Sequence, residues 1–193
     1  MKSIDNHTIK QFPLSRQFTI DVGKIGMHKH HIKALIDIDV TESRKKLKIK
    51  RSEPDNRISF TSWVLKCICQ AVNEHKQVHA LRKGKNGLVI FDDIDISILV
   101  EKKVDDDLVP IPLVIRKADK MSISDIYDEI ERAKNEVINE KKKYLIEKDK
   151  GWESIKLFSL LPQWIRLFIW KLLLANPYRV KKMMGTVVVT SVG

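Results

Sequence analysis

The sequence has few of the residues that mark a disulfide-bonded or secreted scaffold. It contains two cysteines in 193 residues. Cys67 and Cys69 stand two positions apart in a helical pattern, so they point to different helix faces and suit neither a disulfide nor a metal site. The amino-terminal stretch lacks the apolar core of a secretory signal. We therefore predict a cytoplasmic protein.

Several sequence motifs that identify catalytic or nucleic-acid-binding proteins are also missing. The chain has no Gly-x-Ser-x-Gly elbow and no cysteine paired with a placed histidine, so it shows no nucleophile with its base. It has no zinc module, no aromatic ribonucleoprotein signature and no Walker loop. Function therefore has to be inferred from weaker patterns and from resemblance.

The composition is that of a soluble globular domain with a strong excess of positive charge. Hydrophobic residues make up 43% and charged residues 32%, which is enough for one sizeable core. The 36 lysines and arginines exceed the 25 aspartates and glutamates, giving a net charge of +11. This excess indicates affinity for a polyanion: nucleic acid, anionic lipid or a phosphorylated cofactor.

Two positively charged or metal-ligating clusters favour structural interpretations. His28 and His30 would share a face if their segment were extended, but no carboxylate or cysteine partner is implied nearby, which favours a solvated strand entry over a metal site. Residues 44–51 hold six basic residues in eight. Without an accompanying reading motif, this pattern favours a solvated helix face over nucleic-acid binding.

Three aspartates, Asp92, Asp93 and Asp95, raise the possibility of acid/base or metal chemistry. Alternation with isoleucines places them on the polar side of a strand instead. We therefore interpret them as structural residues.

Apolar periodicity predicts an α/β fold: a two-layer sandwich in which helices cover a mixed sheet. Thr41 and Thr61 are candidate helix caps, and the prolines at 110 and 112 place part of their strand at a sheet edge or bulge. Predicted strands cover residues 32–40, 88–91, 94–101, 108–115 and 186–192. Predicted helices cover residues 42–50, residues 62–74 after the Thr61 cap, and a segment that starts at Ser122 or Ser124 and ends at about residue 139.

An apolar, tryptophan-rich segment at residues 155–175 precedes the last strand. Pro162 breaks it, Arg166 and Lys171 interrupt its longer half, and Pro177 is predicted to end its helix. These interruptions favour an amphipathic helix pair, packed on its own domain or on a subunit neighbour, over a transmembrane span. Attachment to a membrane surface is the further alternative.

Four segments together carry a family resemblance. In their order and spacing, residues 59–72, 93–101, 112–119 and 185–193 resemble the acyltransferase catalytic domain of 2-oxo acid dehydrogenase complexes. The likeness spans about residues 16–193. It implies a chloramphenicol acetyltransferase-like fold forming one domain over residues 1–193, with residues 155–175 as an apolar helical insert. The family's His-x-x-x-Asp-Gly motif is absent, so the resemblance implies a domain that is incomplete at its carboxyl terminus.

The resemblance also implies site residues. Thr190 best matches the hydroxyl that stabilises the tetrahedral oxyanion, and Ser191 is the alternative if the register shifts by one. The family's missing histidine is the general base that deprotonates the thiol of coenzyme A or dihydrolipoamide. Without it, this chain is expected to be inactive alone.

Further expectations follow from the same resemblance. The substrate would be coenzyme A or acyl-CoA, with no metal and no lipoyl attachment in this chain. The protein would be a homotrimer with active sites at subunit interfaces, accepting an acyl carrier or a small-molecule acceptor. Two alternatives remain: a non-catalytic assembly or regulatory subunit of the same fold, and a membrane-surface protein anchored by Trp164, Phe168 and Trp170.

Overall fold

The computed structural model describes residues 15–53, 56–104, 107–135, 157–158 and 160–191. The chain divides into two compact units. The first comprises Met1–Ala34 and Lys142–Lys171, and the second comprises Leu35–Lys141 and Leu172–Gly193. Predictions for residues 136–156 and 192–193 lie outside the described residues, and the assignment of residues 1–193 to a single domain stays a prediction.

The described chain contains both helices and strands: three helices come first, four strands follow, and three further helices precede the last strand. Two short 3₁₀ turns, Lys76–His79 and Ala118–Lys120, join them. The elements are α1 (Ser15–Met27), α2 (Thr41–Arg51), α3 (Phe60–Glu74), β1 (Leu81–Lys83), β2 (Gly87–Val89), β3 (Ile96–Val104), β4 (Asp107–Ile115), α4 (Ile123–Asn135), α5 (Gln163–Leu174), α6 (Pro177–Met184) and β5 (Val187–Val189).

The main sheet of the second unit is mixed. Its strand order is β4-β3-β5, with β3 antiparallel to β4 and parallel to β5. Strands β1 and β2 form a separate antiparallel hairpin. Strand β4, which contains the two prolines, is an edge strand, in agreement with the sheet-edge position predicted for them.

The core lies between β3 and two helices. Ile96, Ile98 and Val100 alternate along β3 and are buried, whereas Leu99 between them is 52% exposed. Helices α3 and α4 cover this face, and each contributes apolar side chains at helical spacing: Leu65, Cys69, Val72, Ile126 and Ile130. The predicted mixed sheet covered by helices is thereby confirmed.

Helix α3 begins two residues earlier than predicted. Ser59 is its N-cap, and its side chain accepts from the Ser62 backbone while the Ser62 hydroxyl accepts from the Ser59 backbone. This reciprocal pair satisfies two amide groups at the helix start. Thr61, the predicted cap, lies inside the first turn and is exposed.

The predicted strand at residues 32–40 is wrong. The segment forms no strand, and Ile32, Leu35 and Ile38 are 102%, 104% and 73% exposed. Alternation indicates which face a strand would bury, but a strand also needs a hydrogen-bonded neighbour, and the structure pairs no described strand with it. The Asp39 carboxylate instead accepts from the Thr41 backbone at the start of α2.

The apolar segment forms α5, which starts directly after Pro162. The prediction that Pro177 ends this helix is wrong. Pro177 occupies the first turn of α6, where Asn176 is the N-cap. Proline fits there because the first-turn amides have no intrahelical partner. Among the described residues, no helix is both long enough and apolar enough to cross a membrane.

Candidate active site

Strand β5 meets β3 at a glycine. Gly185 has a φ of +71°, and a Cβ at this position would lie 2.5 Å from the Asp95 carbonyl oxygen. Only glycine adopts this conformation readily and also permits so close an approach. The chain can therefore turn from α6 directly alongside β3, where Val187 pairs with Ile96.

Asp95 organises this junction through its backbone and its side chain. Its carbonyl oxygen accepts from the amides of Thr186 and Val187, at 2.8 and 3.2 Å. Its carboxylate accepts from the Lys117 amide at 2.9 Å and from the Arg116 guanidinium at 3.0 Å. Asp95 is only 4% exposed. Asp95 therefore ties β5 to the loop that follows β4, but it does not lie on the polar side of a strand as predicted, because β3 begins only at Ile96.

Arg116 extends the junction to α6. Besides Asp95, its guanidinium donates to the Lys181 carbonyl at 2.9 Å and to the Lys182 carbonyl. These carbonyls lie in the last turn of the helix, where a cation is favourable. The helix that leads into β5 is therefore held on the same carboxylate–guanidinium pair as the strand.

The two predicted site hydroxyls follow β5 directly. Thr190 and Ser191 come after its last residue, Val189, and both are exposed. Within the described part of the chain, neither hydroxyl has a hydrogen-bond partner. Both hydroxyls are thus presented to solvent just beyond the carboxyl end of an edge strand.

A buried histidine occupies the opposite end of β5. His79 Nδ1 lies 2.9 Å from the Thr186 hydroxyl oxygen, and His79 is 3% exposed. Burial lowers the pKa of His79, and the positive charges of Lys181 and Lys76 act in the same direction. Thr190 is four residues further along, about 13 Å in an extended chain, so His79 lies at the other end of β5 from the candidate oxyanion hydroxyls.

Asp93 takes part in a surface ion-pair network. It pairs with Lys120 and lies 3.7 Å from the Lys117 ammonium, while its carbonyl accepts from Lys181. The hydrogen bond to Lys120 lowers the pKa of Asp93. Asp92 is exposed and makes one ion pair with a lysine. Among the described residues, no group of three or more His, Cys, Asp or Glu could hold a metal.

The two cysteines are unsuited to nucleophilic catalysis. Both are free, and Cys69 is buried in the core of the second unit. Burial raises the pKa of the Cys69 thiol to about 11 and also raises that of Cys67. Since the thiolate is the reactive form, burial lowers the reactivity of both side chains.

The positively charged clusters are solvent-exposed. His28, His30 and His31 are all exposed. Helix α2, which contains the basic run, has no buried residue. One cation of the basic run, Arg44, lies over the Phe60 ring at 4.5 Å and so makes a packing contact.

An open pocket of about 430 Å³ is lined in part by Arg116 and Lys117, the two residues that contact the Asp95 carboxylate. Four basic and three acidic side chains line it together with one methionine, so its charges nearly balance. Arg116 and Lys120 already pair with Asp95 and Asp93. The lining comprises Arg116, Lys117, Lys120, Met121, Asp125, Asp128, Glu129 and Arg132.

Three features were missed in the sequence: the His79–Thr186 pair, the Asp95–Arg116 pair and helix α6. The two side-chain pairs join residues 107 and 21 positions apart, so no local pattern reveals them. Gly185 did offer a signal, because a glycine between a helix and a valine-rich strand marks a possible close backbone approach.

Comparison with known families gives one match over more than half of the chain. The family model described as 2-oxoacid dehydrogenases acyltransferase (catalytic domain) matches residues 27–145. That range contains α2, α3, β1 to β4 and α4, which include most of the core. No curated protein sequence matches the chain.

Solved structures show the same fold. A truncated catalytic core of the 2-oxoacid dehydrogenase multienzyme complex from Thermoplasma acidophilum aligns with a TM-score of 0.53 and 18% identity, covering 69% of this chain and 63% of that one. A probable dihydrolipoamide acetyltransferase from Listeria monocytogenes aligns with a TM-score of 0.50 and 21% identity, and the alignment covers 67% of this chain and 57% of that one. The cubic core of a pyruvate dehydrogenase multienzyme complex aligns with a TM-score of 0.51 and 17% identity, and the alignment covers 66% of this chain and 55% of that one.

The aligned part of this chain therefore corresponds to between 55% and 63% of the length of these three structures. At these identities the likeness concerns the fold: mixed α/β, of the acyltransferase catalytic-core type.

Proposed function

We propose that this chain is an acyltransferase that transfers an acyl group between a thioester and a thiol or other acceptor. The proposal starts from the family to which the chain belongs, 2-oxoacid dehydrogenases acyltransferase (catalytic domain). The proposed substrate is coenzyme A or acyl-CoA. The observation that carries the proposal is the arrangement at β5, whose parallel pairing with β3 leaves two exposed hydroxyls beyond the strand end.

Thr190 is the proposed oxyanion donor, and Ser191 is the alternative. A tetrahedral intermediate carries negative charge on an oxygen that is neutral in the substrate, so a fixed hydroxyl stabilises it more than the ground state. The position of the hydroxyl has to be fixed for this purpose. Gly185 and Asp95 set where β5 begins beside β3, and Thr190 directly follows Val189, the last paired residue of the strand.

The proposed assembly is a homotrimer with active sites at subunit interfaces. Support comes from two of the similar structures, which are described as a catalytic core and a cubic core of multienzyme complexes. An acyl carrier or a small-molecule acceptor would deliver or receive the acyl group. We further propose that residues 1–193 are inactive alone, because none of their six histidines lies in a His-x-x-x-Asp-Gly motif.

The test compares acetyl transfer from acetyl-CoA to dihydrolipoamide by two proteins. The first is residues 1–193, and the second is the same chain fused at its carboxyl end to the His-x-x-x-Asp-Gly segment of a dihydrolipoamide acetyltransferase. We expect turnover only from the fusion. Circular dichroism and the mass in solution establish that the fusion is folded and trimeric before its activity is judged.

Two results would contradict the proposal. Turnover by residues 1–193 alone would show that the family's histidine is not required. A folded, trimeric fusion without turnover would show that this chain does not supply the remaining half of an acyltransferase site, and would favour the non-catalytic assembly subunit.

A further inference from the structure

Helices α1 and α5 pair through a buried ion pair. Arg166 Nε donates to Asp21 Oδ2 at 2.7 Å, and its Nη2 donates to Asp21 Oδ1 at 3.0 Å. Asp21 is fully buried and Arg166 is 4% exposed. Further bonds to the Leu161 carbonyl and the Gln17 side chain satisfy the guanidinium. Such a bidentate, fully bonded pair fixes one rotational setting of α5 against α1.

This setting determines which side of α5 faces outward. At about 100° per residue, positions two before and two after Arg166 lie on the opposite side of the helix. Those positions are Trp164 and Phe168, which are 72% and 59% exposed. Just before the helix, Leu157 and Leu160 are also exposed, by 66% and 74%. We call these four side chains the outer apolar face.

Trp170 does not belong to this face. Its ring packs edge-on against Phe158, with centroids 6.3 Å apart. The structure therefore retains Trp164 and Phe168 of the three aromatic anchors suggested by the sequence.

The described part of the first unit carries excess positive charge, and one of its cations, Lys171, lies seven residues after Trp164 and therefore on the same side of α5. In the described part of the first unit, Asp21 and Arg166 neutralise each other, and every other charged residue is basic. These cations are all exposed, and Lys24 bonds to Gln163 at the start of α5. They are Arg16, Lys24, Lys29, Lys33 and Lys171.

We propose that the outer apolar face attaches the protein to an anionic lipid surface. Exposed Trp and Phe beside cations are the combination that interfacial helices use: the rings enter the headgroup boundary and the cations contact anionic lipids. A second copy of the chain is a poorer occupant, because pairing two such faces would bring like charges together. The apolar face and the charge thus point to the same partner.

The attachment is tested by flotation of the 193-residue chain with two kinds of vesicle. One is phosphatidylcholine alone and the other is phosphatidylcholine mixed with phosphatidylglycerol. We expect the protein to float with the anionic vesicles, to bind neutral vesicles far more weakly, and to be released as salt is raised. Replacing both aromatics, Trp164→Ser with Phe168→Ser, is expected to lower the partition coefficient at least about tenfold.

A matched variant controls for the loss of exposed apolar surface. Val78 and Leu88 in the second unit are 77% and 60% exposed, close to the values for Trp164 and Phe168. Val78→Ser with Leu88→Ser is expected to float like the parent. Since all four positions are exposed, both double variants are expected to keep the parent circular dichroism spectrum.

Three outcomes would overturn the proposal: no flotation of the parent with anionic vesicles, equal flotation with both kinds of vesicle, or flotation that survives replacement of both aromatics. Sedimentation without lipid provides an independent check. Self-association that depends on Trp164, together with no vesicle binding, would assign the face to a second copy of the chain. None of these outcomes bears on acyl transfer, so the two proposals are tested separately.

Discussion

The sheet core of the second unit and the helix pair of the first are stabilised by contrasting chemistry. Around β3 the buried side chains are almost all aliphatic and follow the alternation of a strand and the stripes of two helices. Between α1 and α5 the buried centre is a charged pair. The family match, residues 27–145, contains most of the first region but no part of α5 and only the last residue of α1. Family membership thus accounts for the core and leaves the helix pair to be explained by itself.

Removal of one charge from the buried pair has the largest expected effect on stability. Asp21→Asn leaves the Arg166 guanidinium buried without its counter-charge, which typically costs about 3–5 kcal/mol. The loss would be measured by urea unfolding followed through tryptophan fluorescence, because Trp164 and Trp170 both lie in α5.

The matched variant replaces both charges by apolar side chains. Asp21→Leu with Arg166→Met is expected to unfold within about 1 kcal/mol of the parent or to be more stable, because neither residue then has to lose its hydration as a charge. Equal losses in the single and double variants would mean that packing, rather than charge, holds these helices together.

At the junction of β3 and β5 the decisive residue is Gly185. In Gly185→Ala, the added Cβ would have to tolerate a positive φ and would collide with the Asp95 carbonyl. We therefore expect the free energy of unfolding to fall by about 3 kcal/mol. Gly84→Ala is the control, because Gly84 has a φ of +64° but nothing within 4 Å of an added Cβ; about 1 kcal/mol is expected there. If Gly185→Ala and Gly84→Ala lower the free energy of unfolding in urea equally, the close approach to Asp95 does not constrain position 185.

A smaller effect is expected from the buried histidine of the second unit. The pKa of His79 lies below its ordinary value of 6.5 in the folded chain. As pH falls through that value, the unfolded chain takes up the proton first, so the free energy of unfolding should decrease below about pH 6.5. His79→Gln should remove part of this decrease. The same pH slope in the parent and in this variant would refute this role.

Periodicity in the sequence was sufficient for the elements that bury a continuous face. The stripe of α4 and the alternation of β3 are local patterns, and the structure confirms them. Helix α3 is confirmed as a helix, but its buried face runs through Leu65, Cys69 and Val72, whereas the predicted stripe included the exposed Ala71. Residues 32–40 show the same alternation without forming a strand, because pairing depends on a neighbour that the pattern does not supply.

The interactions that position the candidate site were beyond local patterns. His79 and Thr186 are 107 residues apart, and Asp21 and Arg166 are 145 apart. A histidine or an arginine in the sequence does not reveal a distant partner. The positions of Thr190 and Ser191 came from resemblance alone, so their role as oxyanion donors stays a prediction, as does the cytoplasmic location.

The account depends most on the hydroxyl beyond β5. The direct measurement is the steady-state kinetics of acetyl transfer by the fusion protein carrying Thr190→Ala, with Ser191→Ala as the matched control. We predict that Thr190→Ala lowers kcat about 100-fold with little change in KM, because the hydroxyl acts on charge that develops only in the transition state, and that Ser191→Ala stays near the parent. If both variants turn over like the parent, the carboxyl end of β5 is not the oxyanion site.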